Sequence, residues 1–235
     1  MLTSFENNSF AIVVGSTGGI GAALVAQLNN ESQFTQVIGL SRSSDPALDL
    51  LDEVSIKAAA QHVASLALPV ALVVDATGIL YGGGLQPEKS WQQLDATQMM
   101  TAFAINAIGP ALLMKHFLPL LPKNGKAVFA SLSAKVGSIG DNRLGGWYSY
   151  RASKAALNQL VHTAAIELRR RTPEAICVAL HPGTVATDLS SPFAKTGLEV
   201  QTPAECATKL LAVIDGLSAA DSGGFFNHDG SALPW

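Results

Sequence analysis

Near the start of the chain, the apolar run Phe10-Ala11-Ile12-Val13-Val14 leads straight into Gly15-Ser16-Thr17-Gly18-Gly19-Ile20-Gly21, and an apolar helical pattern follows over 20–28. The run is short, β-branched and apolar throughout, so it reads as a buried strand. A glycine cluster by itself is an ordinary loop. Between a first strand and a helix it is the context of a dinucleotide-binding turn. Gly15 permits the tight turn, while Gly19 and Gly21 let backbone approach a pyrophosphate and let the helix pack on the strand. Ser16, Thr17 and Ile20 lie on the same turn, and the helix N-terminus offers unpaired N–H groups and a partial positive charge. The spacing is G-x-x-x-G-x-G rather than G-x-G-x-x-G.

The second strand, Gln36-Val37-Ile38-Gly39-Leu40-Ser41, is followed by Arg42-Ser43-Ser44. In a nucleotide-binding βαβ unit this strand end meets the adenosine ribose. An acid there accepts from a free 2′-hydroxyl and repels a 2′-phosphate. Here the place is taken by Ser41, and a guanidinium comes next. Arg42 with the hydroxyls of Ser41 and Ser43 suits a phosphate, which favours NADP and leaves NAD possible. The plainer reading of Arg42 is a solvated loop arginine. Asp49 and Leu50 belong to a possible short edge strand over 47–50 and lie beside the adenine or in a plain loop.

The alternation continues. A helix is expected over 53–66. Pro69-Val70-Ala71-Leu72-Val73-Val74 reads as a strand ending in Asp75-Ala76-Thr77-Gly78, where Gly78 again permits close backbone approach at a strand's carboxyl end. Residues 81–91 carry little signal. A helix starts near Asp95 or Thr97 and runs to about 121, with a kink expected at Gly109-Pro110. Asn106 just before it is either a water-holding relay group or a core amide satisfying the kink's freed carbonyls. Lys126 to Ser133 reads as a strand with hydroxyls at its end, able to donate to a carbonyl or simply to form a loop. Ile176 to His181 is a further strand, redirected by Pro182-Gly183 towards Val185 and Thr187, which are candidates to hold a carboxamide. A mobile lid is expected over about 185–202, a last helix over 204–217 and a last strand at 223–227.

Composition bounds the class. With 235 residues, 48% apolar and 14% charged, the chain is long enough for one α/β domain with a large core and is not a disordered segment. A net charge of −3 gives no footprint for nucleic acid. No uninterrupted apolar run reaches the ~18 residues of a membrane span, and the first residues lack a secretory pattern. Cys177 and Cys206 have no metal-ligand spacing and read as free thiols in a reducing compartment, so a cytoplasmic protein is expected. His62, His116, His162, His181 and His228 show no ligand spacing either, and no metal is expected.

Over 150–171 the pattern is helical, and its first turns carry Tyr150 and Lys154. Four residues apart, they share a helix face. A free phenol titrates near ~10. An ammonium about 4 Å away, at an effective dielectric near 20, favours phenolate by roughly 4 kcal/mol, enough to bring the group toward ~7. Alone, the pair reads as a chance surface Tyr and Lys; the motifs upstream change its weight.

Gly15-x-x-x-Gly19-x-Gly21, Asp75-Ala76-Thr77-Gly78, Asn106, the strand-end serines, Tyr150-x-x-x-Lys154 and Pro182-Gly183 occur in one order over nearly the whole chain. In this the sequence resembles the short-chain dehydrogenase/reductase family. Val136-Gly137-Ser138-Ile139, Gly145-Gly146-Trp147-Tyr148-Ser149-Tyr150 and the ending Asp229 to Trp235 resemble most its C-factor-like and Sniffer-like carbonyl reductase group. The resemblance implies a Rossmann-like α/β fold over 1–235, with seven parallel strands ordered 3-2-1-4-5-6-7 between helical layers, assembled as a homodimer or homotetramer. It implies hydride transfer between a nicotinamide cofactor and a carbonyl or alcohol (an aldehyde, ketone or quinone).

Residue by residue, the same resemblance makes Tyr150 the acid–base and Lys154 the ribose-binding group that lowers the phenol's pKa. Asn106 becomes the holder of a water beside the lysine, and Pro182, Gly183, Val185 and Thr187 the nicotinamide turn. Ungapped, the customary catalytic serine falls at Ala134 and its neighbour at Ser133, so Ser133 is the candidate, with Ser131 the alternative. Leu132, Leu144, Trp147 and Phe193 are expected to line a hydrophobic substrate site. The rival class is a dinucleotide-binding regulatory or signalling protein.

Overall fold

The computed structural model describes residues 2–189 and 200–235. Its centre is a six-stranded parallel sheet: β1 (Ser9–Val14), β2 (Phe34–Leu40), β3 (Val70–Asp75), β4 (Ala127–Leu132), β5 (Ala175–His181) and, last in the chain, β8 (Phe225–Asn227), ordered β2-β1-β3-β4-β5-β8. Two short strands, β6 (Thr184–Val185) and β7 (Val200–Gln201), pair with each other outside it. The helices are α1 (Gly19–Leu28), α2 (Glu53–Ser65), α3 (Ala96–Phe103), α4 (Gly109–Phe117), α5 (Tyr148–Arg169) and α6 (Pro203–Gly216).

The sheet is parallel because each main strand is followed by a helix that carries the chain back across a face. Both faces are therefore covered, and β1, β3 and β4 are buried at every position. Side chains alternate between two cores. Phe10, Ile12, Val14, Val73 and Phe129 pack with Leu113 and Phe117 of α4 and Leu157 and Val161 of α5. Ala11, Val13, Leu72, Val74 and Val128 pack on the other face with Leu24 and Leu28 of α1 and Leu210 and Ile214 of α6. Each fully buried Val, Leu, Ile or Phe among them contributes about 1.5–3 kcal/mol.

The ends of the helices follow local chemistry. Asp52 and Asp95 accept from the N–H groups of Val54 and Gln98 as N-caps of α2 and α3. At α6, Thr202 and Glu205 form a reciprocal capping box, and Pro203 takes the first helical position. The α3–α4 segment Ala96–Leu120 is apolar and long enough to cross a membrane by length and composition. One side of it packs into the core instead, through Leu113, Met114 and Phe117.

Two expectations change. The edge strand over 47–50 is absent: the Leu48 N–H donates to the Ser41 carbonyl, and Asp49 is tied through its N–H to the Ser55 hydroxyl, so the chain folds back toward α2. The sheet keeps the expected order without that strand, six strands rather than seven. The kink near Pro110 is also different. Ala104–Ile108 forms a π-helical turn, and Pro110 sits in the first turn of α4, where its missing N–H costs little. The expected lid falls mostly outside the described residues, and its two ends are β6 and β7.

Phe129, fully buried at the centre of β4, tests the packing. Phe129→Ala is expected to cost about 3–5 kcal/mol in a chemical denaturation series, against less than about 0.5 kcal/mol for the exposed Leu51→Ala.

Candidate active site

The strand order reverses between β1 and β3, and the crevice outside the carboxyl ends of these strands is where such sheets bind ligands. Gly15 sits there with φ +81°, and a Cβ on it would lie 3.1 Å from the Ala76 backbone and from Thr77 Cγ2. Its N–H and that of Ser16 both donate to Leu40 O, which pins the turn to the end of β2. Gly21 is needed for packing: a Cβ there would lie 2.2 Å from the Gly15 carbonyl oxygen. The N-cap of α1 is Gly18, in extended conformation, with no side-chain cap and no acid in the first turn. A helix N-terminus left open in this way, over a turn of glycines, fits the pyrophosphate of a dinucleotide.

At the end of β2, Ser41 Oγ lies 3.1 Å from Ser43 Oγ, and Arg42 is exposed next to them. This places two hydroxyls and a guanidinium together with no acid at the strand end. Leu50 packs closely on the helical face at Gly109, and the Asp49 carboxylate accepts from the Leu51 N–H. Beyond β3, Thr77 turns back onto Asp75 through its N–H and hydroxyl, and the Ser131 hydroxyl also donates to Asp75. Asp75 is 1% exposed, so a buried carboxylate joins the ends of β3 and β4. Gly78, at φ +156°, passes so close that its Cβ would lie 3.4 Å from both Asn106 Oδ1 and Lys154 Nζ.

Asn106 is 1% exposed on the π turn. Its amide donates to Ile79 O and accepts from Ile79 N–H, both at 2.8 Å, and donates to Ser153 Oγ at 3.1 Å. The freed kink carbonyls are not its partners. Ser153, fully buried on α5, donates in turn to the Tyr150 carbonyl.

Tyr150 lies in the first turn of α5, with Trp147 edge-on to its ring at 6.2 Å between centroids. Lys154 follows one turn later, 3% exposed, and its ammonium donates to Leu132 O at 2.8 Å. Burial pushes the Tyr150 phenol up to about 12. It pulls Lys154 down to about 8, with the Asp75 carboxylate opposing that fall. The expected drop of the phenol toward neutrality is therefore corrected: low dielectric penalises phenolate and ammonium alike, and the ammonium is committed to a backbone carbonyl.

Ser133, 3% exposed, donates to Asn158 Oδ1 at 2.6 Å, two turns along α5 from Tyr150. Ser131, the alternative, is bound to Asp75. Leu132, expected to line the substrate site, is buried and packs in the core on the α1–α6 face. Leu144 is exposed on the wall that leads into α5, and Phe193 lies outside the described residues. That wall is tied down by Arg151, which donates to the carbonyls of Gly146, Val136 and Gly145.

The Pro182-Gly183 turn, with Gly183 at φ +77°, packs on Gln201 and His228. Gln201 Nε2 donates to the Pro182 carbonyl. Val185 is buried in β6, and Thr187 lies across the glycine turn, since a Cβ on Gly19 would come within 2.7 Å of Thr187 Cγ2. His181 behind this turn is pulled down to about 4 by burial, by His228 and by Lys135, and is neutral. Among the described residues no group of three His, Cys, Asp or Glu side chains is placed to hold a metal ion.

The glycine turn, the tyrosine–lysine pair, Asn106 and the Pro182-Gly183 turn thus share the carboxyl end of the sheet. Pattern reading missed Ser153 and Glu88. Both act through contacts far apart in sequence, and Glu88 lies in a loop with no periodicity to mark it.

Residues 9–197 match the family described as short chain dehydrogenase. A 1-hydroxy-2-glutathionyl-2-methyl-3-butene dehydrogenase of Rhodococcus sp. is 30% identical over 97% of this chain and 100% of its own. The C-signal protein of Myxococcus xanthus is 39% identical over 60% of this chain and 81% of its own. A crystal structure of NADPH-bound carbonyl reductase from chicken fatty liver has the same fold, with a TM-score of 0.85 at 27% identity, covering 100% of this chain and 96% of that one.

The Asn106 bridge is testable without knowing the reaction. Asn106→Leu leaves both polar groups of Ile79 unpaired, so a loss of about 2–4 kcal/mol is expected in denaturant unfolding; a loss under about 1 kcal/mol would show that the bridge is not holding this edge.

Proposed function

The chain belongs to the short chain dehydrogenase family, and from that premise we propose that it is an NADP(H)-dependent oxidoreductase interconverting a carbonyl and an alcohol. The observation that carries this reading is the placement of Tyr150 and Lys154, one turn apart at the head of α5, on the same sheet edge as the uncapped N-terminus of α1. The nicotinamide, when bound, supplies or receives the hydride at the substrate's carbonyl carbon. Tyr150 gives its proton to the carbonyl oxygen in reduction and takes it back in oxidation. Lys154 holds the nicotinamide ribose hydroxyls, and Asn106 holds a water that returns protons to the lysine. Ser133 orients the carbonyl by exchanging its bond to Asn158 for one to the substrate oxygen. Pro182, Gly183, Val185 and Thr187 shape the nicotinamide end; Arg42, Ser41 and Ser43 hold the 2′-phosphate.

A phenol held near 12 keeps its proton at neutral pH, which is the state carbonyl reduction needs. The apolar Trp147 and Leu144 beside the site favour a hydrophobic aldehyde, ketone or quinone. The exposed groove between α4 and α5, walled by Met114, Leu118, Leu160 and Ala164, suits a homodimer or homotetramer contact. Free, buried Cys177 and Cys206 suit the cytoplasm.

Titration with NADPH and NADH, followed by a panel of aldehydes, ketones and quinones, tests the reading. Binding of NADPH with turnover of a panel member supports it, and failure to bind either nucleotide refutes it. The match to C-signal favours a second reading, a dinucleotide-binding signalling protein, for which tight binding without turnover is the expected result. Tyr150→Phe is expected to abolish turnover with NADPH affinity within about threefold. Arg42→Asp is expected to shift preference to NADH by about tenfold or more; an unchanged preference would remove the phosphate-clamp role.

The pH dependence has a definite sign. Below its pKa of about 8 Lys154 is charged and able to donate. Reduction measured as kcat/KM should therefore be level at and below neutrality and fall as pH rises through about 8, while Tyr150 remains protonated. A profile still level a full unit or more above that point would take Lys154 out of the mechanism.

A further inference from the structure

Helix α5 begins without a cap of its own. Its N-cap residue, Trp147, is left-handed with φ 53° and provides no side-chain cap. The cap is delivered by Glu88, from the loop after β3. The Glu88 carbonyl accepts from the Trp147 N–H at 2.5 Å. Its carboxylate accepts from the Ser149 N–H at 3.2 Å and from the Ser149 hydroxyl in a short hydrogen bond. Glu88 is 3% exposed, and among the described residues no Lys, Arg or His pairs with it. The loop is itself braced: the Gln86 N–H donates to Gln98 Oε1 and the Lys89 N–H to Gln93 Oε1. A cavity of about 10 Å³, the size of one water, has both Glu88 and Tyr150 in its lining.

A buried carboxylate without a cation is costly, and a helix N-terminus is one of the few neutral settings that offsets the cost, through its open N–H groups and partial positive charge. The carboxylate grips the residue immediately before Tyr150. A shift of the first turn by an ångström would move the phenol by as much, which is enough to slow a proton transfer by orders of magnitude. Glu88 holds that turn from the side of the cleft, while Ser153 and Arg151 hold it from within α5 and from the wall.

We propose that Glu88 is a positioning residue for Tyr150, which fixes the first turn of α5 through Ser149 by supplying its acceptor oxygen. This rests on the acid–base reading of Tyr150 given above. The test compares the wild type with Glu88→Gln, Glu88→Ala and Ser149→Ala, using the full chain. NADPH-binding sites are counted by titration and kcat is expressed per site, so that loss of folded protein does not register.

Glu88→Ala should lower kcat per site by about tenfold or more with KM for NADPH within about twofold. Amide exchange over 148–151 should quicken by about tenfold or more. Ser149→Ala, which keeps the N–H contact, should fall between Ala and wild type. Glu88→Gln keeps an acceptor and the shape, and should return both readouts to within about threefold of wild type. Wild-type values in Glu88→Ala, or Gln as impaired as Ala, would overturn the proposal. If the wild type binds NADPH and turns over no substrate, the oxidoreductase reading fails by itself. Exchange over 148–151 and the ultraviolet titration of the Tyr150 phenol then decide the positioning claim: the phenol pKa should fall in Ala, as burial is lost, and hold in Gln.

Discussion

The Asn106 side chain joins three parts of the molecule that lie far apart in the sequence. One amide, buried on a π turn, satisfies both polar groups of Ile79 and reaches Ser153 on α5. The π turn is what points it there, because one extra residue per turn rotates the side chain off the regular helix face. The exit from β3, the α3–α4 helix and the head of α5 are thereby locked to one another. Since Ser153 also bonds the Tyr150 carbonyl, the lock extends to the backbone of Tyr150. Any sideways slip of α5 against the sheet would break hydrogen bonds of the buried Asn106 and Ser153 side chains.

The electrostatics of the edge follow from how dry it is. Asp75 comes from the end of β3 and Lys154 and Tyr150 from α5, and burial acts against the charged form of each of the two on α5. Asp75 is kept satisfied by neutral donors, the Thr77 N–H and the hydroxyls of Thr77 and Ser131. Its charge remains available to oppose the fall in the Lys154 pKa. A neutral asparagine in that position would bridge the same groups and supply no such opposition. The acid at position 75 therefore has an electrostatic consequence at the lysine, which a reading of the turn as a backbone device alone does not contain.

The strands and helices were legible because their signals are local. Runs such as Ala11 to Val14 and Ile176 to Leu180 are apolar at every position, and only a strand covered on both faces asks for that. The start of α3 near Asp95 was legible for the same reason. Where the outcome depends on a partner far along the chain, local pattern fails. Residues 47–50 look extended, yet the Ser41 carbonyl and the Ser55 hydroxyl turn them aside. Gly109-Pro110 looks like a kink, yet the strain is taken up one turn earlier, where the amide of Asn106 has a tertiary use. The pairing of Tyr150 with Lys154 was plain, but the state of the pair was not, since solvent exclusion is set by the packing of the whole edge.

The two strand-end serines show how the same residue type divides by face. Ser131 and Ser133 alternate with Leu132, so both hydroxyls point to the α4–α5 side and Leu132 to the other core. Ser131 reaches sideways to β3, and Ser133 reaches outward to α5. A hydroxyl that donates to a neighbour's carboxylate in the sheet is committed to the fold, because releasing it would strand a buried charge. A hydroxyl that donates to a neutral amide oxygen has a weaker hold and can exchange partners at lower cost. Of the two, Ser133 is therefore the one that the proposed carbonyl reaction would use, with Asn158 satisfying its hydroxyl otherwise.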